Sequence, residues 1–186
     1  LCVLGQRPLN LPRKNLFVNC VRVAYDSERV TKKITPLFII LDGNALLHRA
    51  WHAIPPLTTQ EGVVVNAVYG FAMIFEKLFS MFSPAYMAVA WDVAGKTFRH
   101  ELDATYKATR VKKEQELYDQ IPMIQELVSL YGVPNLSLAG FEADDVIGTL
   151  AKKAGARVHT LIVTGDQDAL QLVTDRVHAL LFVKGL

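Results

Sequence analysis

The stretch Leu37-Phe38-Ile39-Ile40-Leu41-Asp42-Gly43-Asn44 decides the fold. Its first five residues are uninterrupted apolar side chains, which is typical of a strand buried on both faces. A helical pattern follows at Ala45-Leu46-Leu47, so Asp42 stands where a buried strand gives way to a helix. Open α/β sheets bind their ligands at this end of their strands. We therefore expect Asp42 to serve a functional site, to cap the next helix, or to do both.

The same arrangement recurs along the chain. Residues 85–91 form a second apolar run followed by Asp92, and residues 158–163 form a third, followed by Asp166 and Asp168. Amphipathic helical patterns at 68–82 and 114–131 separate these runs, and Pro122 is expected near the start of the second helix or at a kink in it. Residues 169–173 read as a short helix and residues 177–183 as a last strand. Strands that alternate with helices predict an α/β fold, a three-layer, mostly parallel sheet with flanking helices.

A helix start rich in acids lies at residues 140–150. Glu142, Asp144 and Asp145 precede apolar residues at helical spacing, so a helix is expected from Ala143 to about Ala154. The helix dipole favours acids in a first turn, but three of them repel one another without a counter-charge. A hard divalent cation with oxygen ligands would supply that charge.

The carboxyl ends of parallel strands meet at one edge of a sheet, so these acids should converge there. The predicted cluster comprises Asp42, Asp92, Glu142, Asp144, Asp145, Asp166 and Asp168. Phosphoryl transfer with two divalent ions requires such a site, because one ion activates water and the other stabilises the leaving oxygen. Carboxylates of this kind bind Mg²⁺ or Mn²⁺.

Composition and charge narrow the class of protein. Of the 186 residues, 51% are hydrophobic and 20% are charged, which is typical of a globular protein. The sequence has no apolar run long enough to span a membrane. Residues 1–36 carry seven of the 20 basic and two of the 18 acidic residues, so the remainder is mildly acidic. This excludes a uniformly basic nucleic-acid-binding face. Cys2 and Cys20 form neither a zinc spacing nor a disulfide framework, and a reducing, cytoplasmic setting is expected.

Residues 98–113 form a basic segment with interspersed aromatic residues. Its functional candidates are Phe98, Arg99, Tyr106, Lys107 and Arg110. Basic and aromatic groups together suit phosphate contact and base stacking. Composition alone favours a solvated charged loop.

Five short motifs occur in order: Ile40-Leu41-Asp42-Gly43-Asn44, Ala90-Trp91-Asp92, Phe98-Arg99-His100-Glu101 with Tyr106-Lys107-Ala108-x-Arg110, Gly140-Phe141-Glu142-Ala143-Asp144-Asp145, and Thr164-Gly165-Asp166-x-Asp168. Together they closely resemble the 5′ nuclease (5′-3′ exonuclease) domains of bacterial DNA polymerase I, within the flap endonuclease family. The resemblance covers about residues 37–186. It implies a PIN-like 5′ nuclease fold.

The resemblance also implies an activity: divalent-metal-dependent hydrolysis of phosphodiesters at 5′ ends and flaps of branched or nicked DNA, or of RNA in RNA–DNA hybrids, in replication and repair. The first metal site of the family matches Asp42, Asp92, Glu142, Asp144 and Asp145, and the second matches Asp166 and Asp168. The basic segment beside the scissile phosphate matches Arg99, Tyr106, Lys107 and Arg110. Lys107 would neutralise charge in the transition state and would complete the catalytic set with Asp42, Asp92 and Asp144. A monomer without a membrane partner is expected.

Two features depart from the family pattern. Residues 111–114 read Val-Lys-Lys-Glu where the family usually has a proline-rich turn. The family also continues beyond the point matched by Leu186, into a duplex-binding element and further aspartates of the second metal site. We therefore expect residues 37–186 to be the amino-terminal part of a nuclease domain and residues 1–36 to be an extension that contributes little to function.

Two other functions remain open on the sequence. A PIN-type ribonuclease shares an acidic cleft on a similar sheet, although the basic segment favours the flap-type enzyme. A catalytically silent, truncated nucleic-acid-binding fragment is the alternative from a different class. The kind of nucleic acid that is cut distinguishes a PIN-type ribonuclease from a flap nuclease. A requirement for magnesium distinguishes a flap nuclease from the silent fragment.

Overall fold

A parallel sheet forms the centre of the fold. The computed structural model describes residues 36–93, 95, 97–99 and 115–182. In these ranges the strands are β1 (Leu37–Asp42), β2 (Tyr86–Ala90), β3 (Asn135–Leu136), β4 (His159–Thr164) and β5 (Val177–Leu181). Their order in the sheet is β3-β2-β1-β4-β5, and every neighbouring pair is parallel. The four strands predicted from apolar runs are all present.

Helices cover both faces of the sheet. The α-helices described are α1 (Gly43–Ala53), α2 (Asn66–Phe82), α3 (Gln115–Tyr118), α4 (Ile121–Leu130) and α5 (Ala143–Ala154). Short 3₁₀ helices follow at Gly155–Arg157 and Gln167–Leu172. Side chains of α1 to α4 belong to the core on one face, and those of α5 and the second 3₁₀ helix to the core on the other. The predicted three-layer α/β architecture is confirmed.

The central strands are apolar on both faces because both faces are covered. Along β1, Ile39 and Leu41 enter the larger core while Ile40 enters the smaller one, and all three are 0% exposed. Val163 and Ile162 of β4 divide in the same way. This alternation of buried faces accounts for the uninterrupted apolar runs in the sequence.

The predicted helix at 114–131 is wrong as one helix. The structure divides it into α3 and α4, with a turn at Asp119 and Gln120. Pro122 lies in the first turn of α4, where its missing N–H costs nothing. The buried Gln120 accepts hydrogen bonds from the amides of Ala67 (2.8 Å) and Val68 (3.1 Å), and so caps α2 from another part of the chain.

Two shorter elements also differ from expectation. The strand β3 has no detectable apolar run, because it consists of only two residues, which pair with the end of β2 at the edge of the sheet. The helix expected at 169–173 is the 3₁₀ helix Gln167–Leu172, which begins where Asp166 accepts a hydrogen bond from the amide of Asp168 (2.9 Å).

Some predictions fall outside the described residues. They concern the extension at 1–35 and most of the basic segment, including Tyr106, Lys107 and Arg110. Among the helices that are described, none combines the length and apolar character needed to cross a membrane.

Candidate active site

The carboxyl edge of the sheet gathers acids from three neighbouring strands. Asp42 is the last residue of β1 and pairs in register with Ala90, so Asp92 lies just past the end of β2. On the other side Leu41 pairs with Val163, so Asp166 lies just past the end of β4. The sheet topology therefore brings Asp42, Asp92 and Asp166 to one edge, although 124 positions separate the first of them from the last.

Asp42 is buried and held from two sides. Its Oδ1 accepts a hydrogen bond from the Ala45 amide (3.0 Å), which begins α1, and its Oδ2 accepts one from the Thr164 hydroxyl (2.7 Å). Burial raises the pKa of Asp42, the two hydrogen bonds oppose this rise, and the charges of Asp92 and Asp166 add to it. Asp42 is thus the helix cap that the sequence allowed and also part of the acidic edge.

Asp92 joins the end of β2 to the start of α5. Its Oδ1 accepts a hydrogen bond from the Ala143 amide (2.7 Å), one of the unpaired amides at a helix start. Its own amide donates to Oδ1 of Asn44 (3.1 Å). Asn44 therefore orients Asp92, a role that the sequence did not reveal.

Asp144 is where the acidic charges meet. It lies in the first turn of α5, with its side chain still in contact with solvent. Partial burial, followed by the charges of Asp42, Asp166, Asp92 and Glu142, raises the pKa of Asp144 to about 6. Carboxylates from four separate segments therefore act on one another at the carboxyl edge of the sheet.

Glu142 and Asp145 face a cation. The terminal nitrogens of Arg99 hold Asp145 by two hydrogen bonds, 2.7 and 2.9 Å long, and Arg99 Nη1 lies 3.7 Å from Oε2 of Glu142. The Glu142 amide also donates to Oδ2 of Asp145 (3.0 Å). Arg99, predicted from the family resemblance to bind nucleic acid, here supplies a counter-charge to two of the seven acids.

Asp166 and Asp168 are exposed and follow the end of β4. The Thr164 hydroxyl accepts a hydrogen bond from the Asp166 amide (3.0 Å) and donates to Asp42, so it connects this segment to the end of β1. Thr164 is 1% exposed and was not predicted as a site residue. The available signal was its position between an apolar strand and Gly165-Asp166.

The donor set is that of a hard divalent cation. Every candidate ligand is a carboxylate oxygen, and the pKa of Asp144 is raised first by burial and then by repulsion from neighbouring carboxylates, which a cation would relieve. No three acidic, histidine or cysteine side chains of the described ranges form a ready-made metal-binding group. In donor chemistry the residues therefore fit Mg²⁺ or Mn²⁺, as an open cluster of carboxylates at one edge of the sheet.

Known proteins match this chain over the same residues. A model of the family described as "5'-3' exonuclease, N-terminal resolvase-like domain" matches residues 37–185. DNA polymerase I of Bacillus subtilis is 43% identical over 151 residues, which cover 80% of this chain and 17% of that protein. DNA polymerase I of Chloroflexus aurantiacus is 46% identical over 149 residues, covering 78% and 16%. The chain thus spans about a sixth of the length of these relatives.

Solved structures share the fold. The T5 D15 protein, crystallised with metal ions, superposes with a TM-score of 0.62 at 20% identity, covering 77% of this chain and 54% of that one. The T5 D15 flap endonuclease in a pseudo-enzyme-product complex with DNA and metal ions gives a TM-score of 0.58 at 21% identity, with the same coverage. By the family model and by its polymerase relatives, the chain belongs to the 5′-3′ exonuclease family and comprises its amino-terminal, resolvase-like domain.

Proposed function

We propose that this chain carries the active centre of a divalent-metal-dependent 5′ nuclease, which hydrolyses phosphodiester bonds at 5′ ends and flaps of branched or nicked DNA. The observation that carries the proposal is the convergence of carboxylates from the ends of β1, β2 and β4 and the start of α5 at one edge of the sheet. Membership of the 5′-3′ exonuclease family supports the reaction. The DNA and metal ions bound by the T5 flap endonuclease support the substrate and cofactor.

The acids have two proposed tasks. Asp42, Asp92, Glu142, Asp144 and Asp145 hold one ion, and Asp166 and Asp168 contribute to a second. Bound Mg²⁺ or Mn²⁺ would supply a nucleophile from water and stabilise charge on the phosphate. The protein's part is to fix the ligands: two hydrogen bonds hold the Asp42 carboxylate, and the Ala143 amide holds that of Asp92.

The basic segment has the complementary task. Lys107 and Arg110 are three positions apart, so they share a face if the segment is helical. We assign Lys107 to stabilisation of transition-state charge, Arg110 to phosphate binding and Tyr106 to base stacking. An RNA strand in an RNA–DNA hybrid presents the same phosphates and belongs to the proposed substrates.

A substrate panel tests the proposal. The full-length gene product is incubated in Mg²⁺ or Mn²⁺ with a 5′-flap DNA, a nicked duplex, a flap of RNA on DNA and a single-stranded RNA. We expect metal-dependent incision of the flap and its loss in Asp92→Asn, which keeps the Oδ1 acceptor for Ala143 but removes the charge. Preferred cleavage of single-stranded RNA would favour the PIN-type ribonuclease. Binding of DNA by the chain of residues 1–186 without any metal-dependent incision would favour the silent fragment.

A further inference from the structure

Phe98 and Arg99 are attached to the start of α5 by several independent contacts. The Phe98 amide donates to the carbonyl of Gly140 (3.1 Å), and the rings of Phe98 and Phe141 lie 5.6 Å apart between centroids. The Arg99 guanidinium lies 4.7 Å from the Phe98 ring centroid and engages Asp145. A hydrogen bond, an aromatic pair and an ion pair therefore join these two parts of the chain, and the cation–π contact holds Arg99 against Phe98 within one of them.

The ion pair is the most directional of these contacts. Nη1 and Nη2 of Arg99 each donate to a different oxygen of Asp145, and the side chains are only 29% and 24% exposed. Two parallel bonds of this kind are stronger than neutral ones and fix the relative orientation of both groups. A lysine could not reproduce them, because its ammonium group is a single point of contact.

A direct phosphate contact by Arg99 would compete with this pair. To bind a phosphate through both terminal nitrogens, the guanidinium would have to leave Asp145 and move away from Glu142. Two partly or fully buried carboxylates would then face each other and the neighbouring Asp144 without that counter-charge, which is unfavourable. The geometry therefore favours a role for Arg99 within the protein.

We propose that Arg99 is a positioning residue, which fixes the beginning of the basic segment to the acidic start of α5 and thereby holds the carboxylates of Glu142 and Asp145 in place. This inference rests on the proposed nuclease function. It assigns Arg99 to the contact between two protein segments, whereas the family resemblance assigned it to the nucleic acid.

A double-mutant cycle in thermal unfolding tests the contact itself. The variants are Arg99→Ala, Asp145→Asn and their combination. Arg157→Ala serves as the control, because Arg157 is exposed and lies beyond the end of α5 that is opposite to the acids. We expect each of the first two to lower the melting temperature, the combination to melt no lower than the worse single variant, and the control to shift it by less than about 1 °C. Additive losses would overturn the proposal.

A second cycle tests the catalytic consequence. Single-turnover cleavage of a 5′-flap is measured with excess full-length protein, so that slow variants remain measurable. We expect Arg99→Ala to slow cleavage at saturating substrate by roughly tenfold or more, since small displacements of reacting groups are costly. In the Asp145→Asn background the same change should add less than about twofold. Arg99→Lys should behave like Arg99→Ala, and the salt dependence of DNA binding should stay unchanged.

A phosphate contact gives a different pattern. Arg99→Ala would then slow cleavage by the same factor in both backgrounds, Arg99→Lys would restore much of the rate, and the salt dependence of binding would fall by about one phosphate contact. That pattern would overturn the positioning role. If the parental protein cuts no flap at all, the proposed function fails, and the unfolding cycle still decides separately whether Arg99 joins the two segments.

Discussion

The hydroxyl of Thr164 lies 2.7 Å from Oδ2 of Asp42 and joins the ends of two neighbouring strands. The same hydroxyl accepts a hydrogen bond from the Asp166 amide, so one buried oxygen connects the acid of β1 to the acids that follow β4. Both residues are nearly inaccessible to solvent, Thr164 at 1% and Asp42 at 6%. Water therefore has little room to replace this hydroxyl.

Thr164→Val should destabilise the protein and weaken divalent-ion binding. The change keeps the shape of the side chain but leaves the Asp42 carboxylate without one of its two hydrogen bonds, which costs about 1–3 kcal/mol when the group is buried. Denaturant unfolding and metal titration measure the two effects, and Thr164→Ser should restore both. Thr160→Val is the matched control: Thr160 is also on β4 and 1% exposed, but its hydroxyl has no partner among the described residues. Equal losses in the two valine variants would contradict the account.

Asp144→Asn should alter the pH dependence of stability in metal-free buffer. The pKa of Asp144 is raised from 3.8 to about 6, so the folded state holds this proton more tightly than the unfolded state. The contribution of Asp144 to stability is therefore fully present below about pH 4 and is lost as the pH rises through about 6.

The asparagine variant should be more stable than the parent at pH 7 by about 1 kcal/mol, after allowance for solvent screening, and equally stable near pH 4. Unfolding by denaturant in chelator at several pH values measures this difference. Asp175→Asn, which removes the charge of an exposed acid before β5, is the control. Parallel profiles for the parent and Asp144→Asn would show that the acids do not interact as described.

Gly43→Ala should destabilise the fold although alanine is the better helix former. A Cβ at this position would lie 2.6 Å from atoms of the Trp91 ring, which is 2% exposed and donates to Oδ1 of Asn135 (2.7 Å). Alanine gains about 1 kcal/mol in helix propensity, but overpacking of a rigid buried ring costs about 1–3 kcal/mol.

The same displacement should slow cleavage, because Gly43 and Trp91 adjoin Asp42 and Asp92. Gly148→Ala is the control, since its Cβ would meet only the flexible end of Leu172 at 3.4 Å and should be neutral or stabilising. Melting temperatures and cleavage rates of the two variants provide the comparison. A neutral Gly43→Ala would mean that Trp91 is less tightly held than the geometry indicates.

Lys107→Ala should lower the rate of flap cleavage much more than substrate affinity, because the proposed contact strengthens in the transition state. Arg110→Ala should mainly weaken binding and flatten its salt dependence. Single-turnover rates and binding curves of the full-length protein separate the two effects. Cleavage by Lys107→Ala at the parental rate under saturating substrate would contradict the catalytic role of Lys107.

Much of the fold followed from local patterns. The apolar runs that end at Asp42, Asp92 and Thr164 predicted the strands, because only strands covered on both faces remain apolar throughout. Pro122 indicated a helix start or kink near the break between α3 and α4, but the hydrogen bonds of Gln120 to the start of α2 did not follow, since they join segments more than 50 positions apart. Long-range hydrogen bonds of this kind leave no periodic trace in a sequence.

The site shows the same division. Strand ends predicted which acids share an edge, whereas the partners that hold them were not visible: Asn44 for Asp92, Thr164 for Asp42 and Arg99 for Asp145. Arg99 illustrates the difficulty most clearly. Its position in a basic segment suggested a phosphate partner, and only the three-dimensional arrangement shows the carboxylate 2.7 Å away.

The central claim is that the acids at the carboxyl edge form a divalent-cation site, and a calorimetric titration of this chain with Mg²⁺ and Mn²⁺ tests it most directly. The variant is Asp144→Ala/Asp145→Ala, and the charge-matched control is Glu126→Ala/Asp175→Ala, which removes two exposed acids on α4 and before β5. We predict saturable binding and a rise in melting temperature at millimolar ion for the parent and the control, and the loss of both in the Asp144/Asp145 variant. Equal binding by all three proteins, or no binding by the parent, would contradict the account.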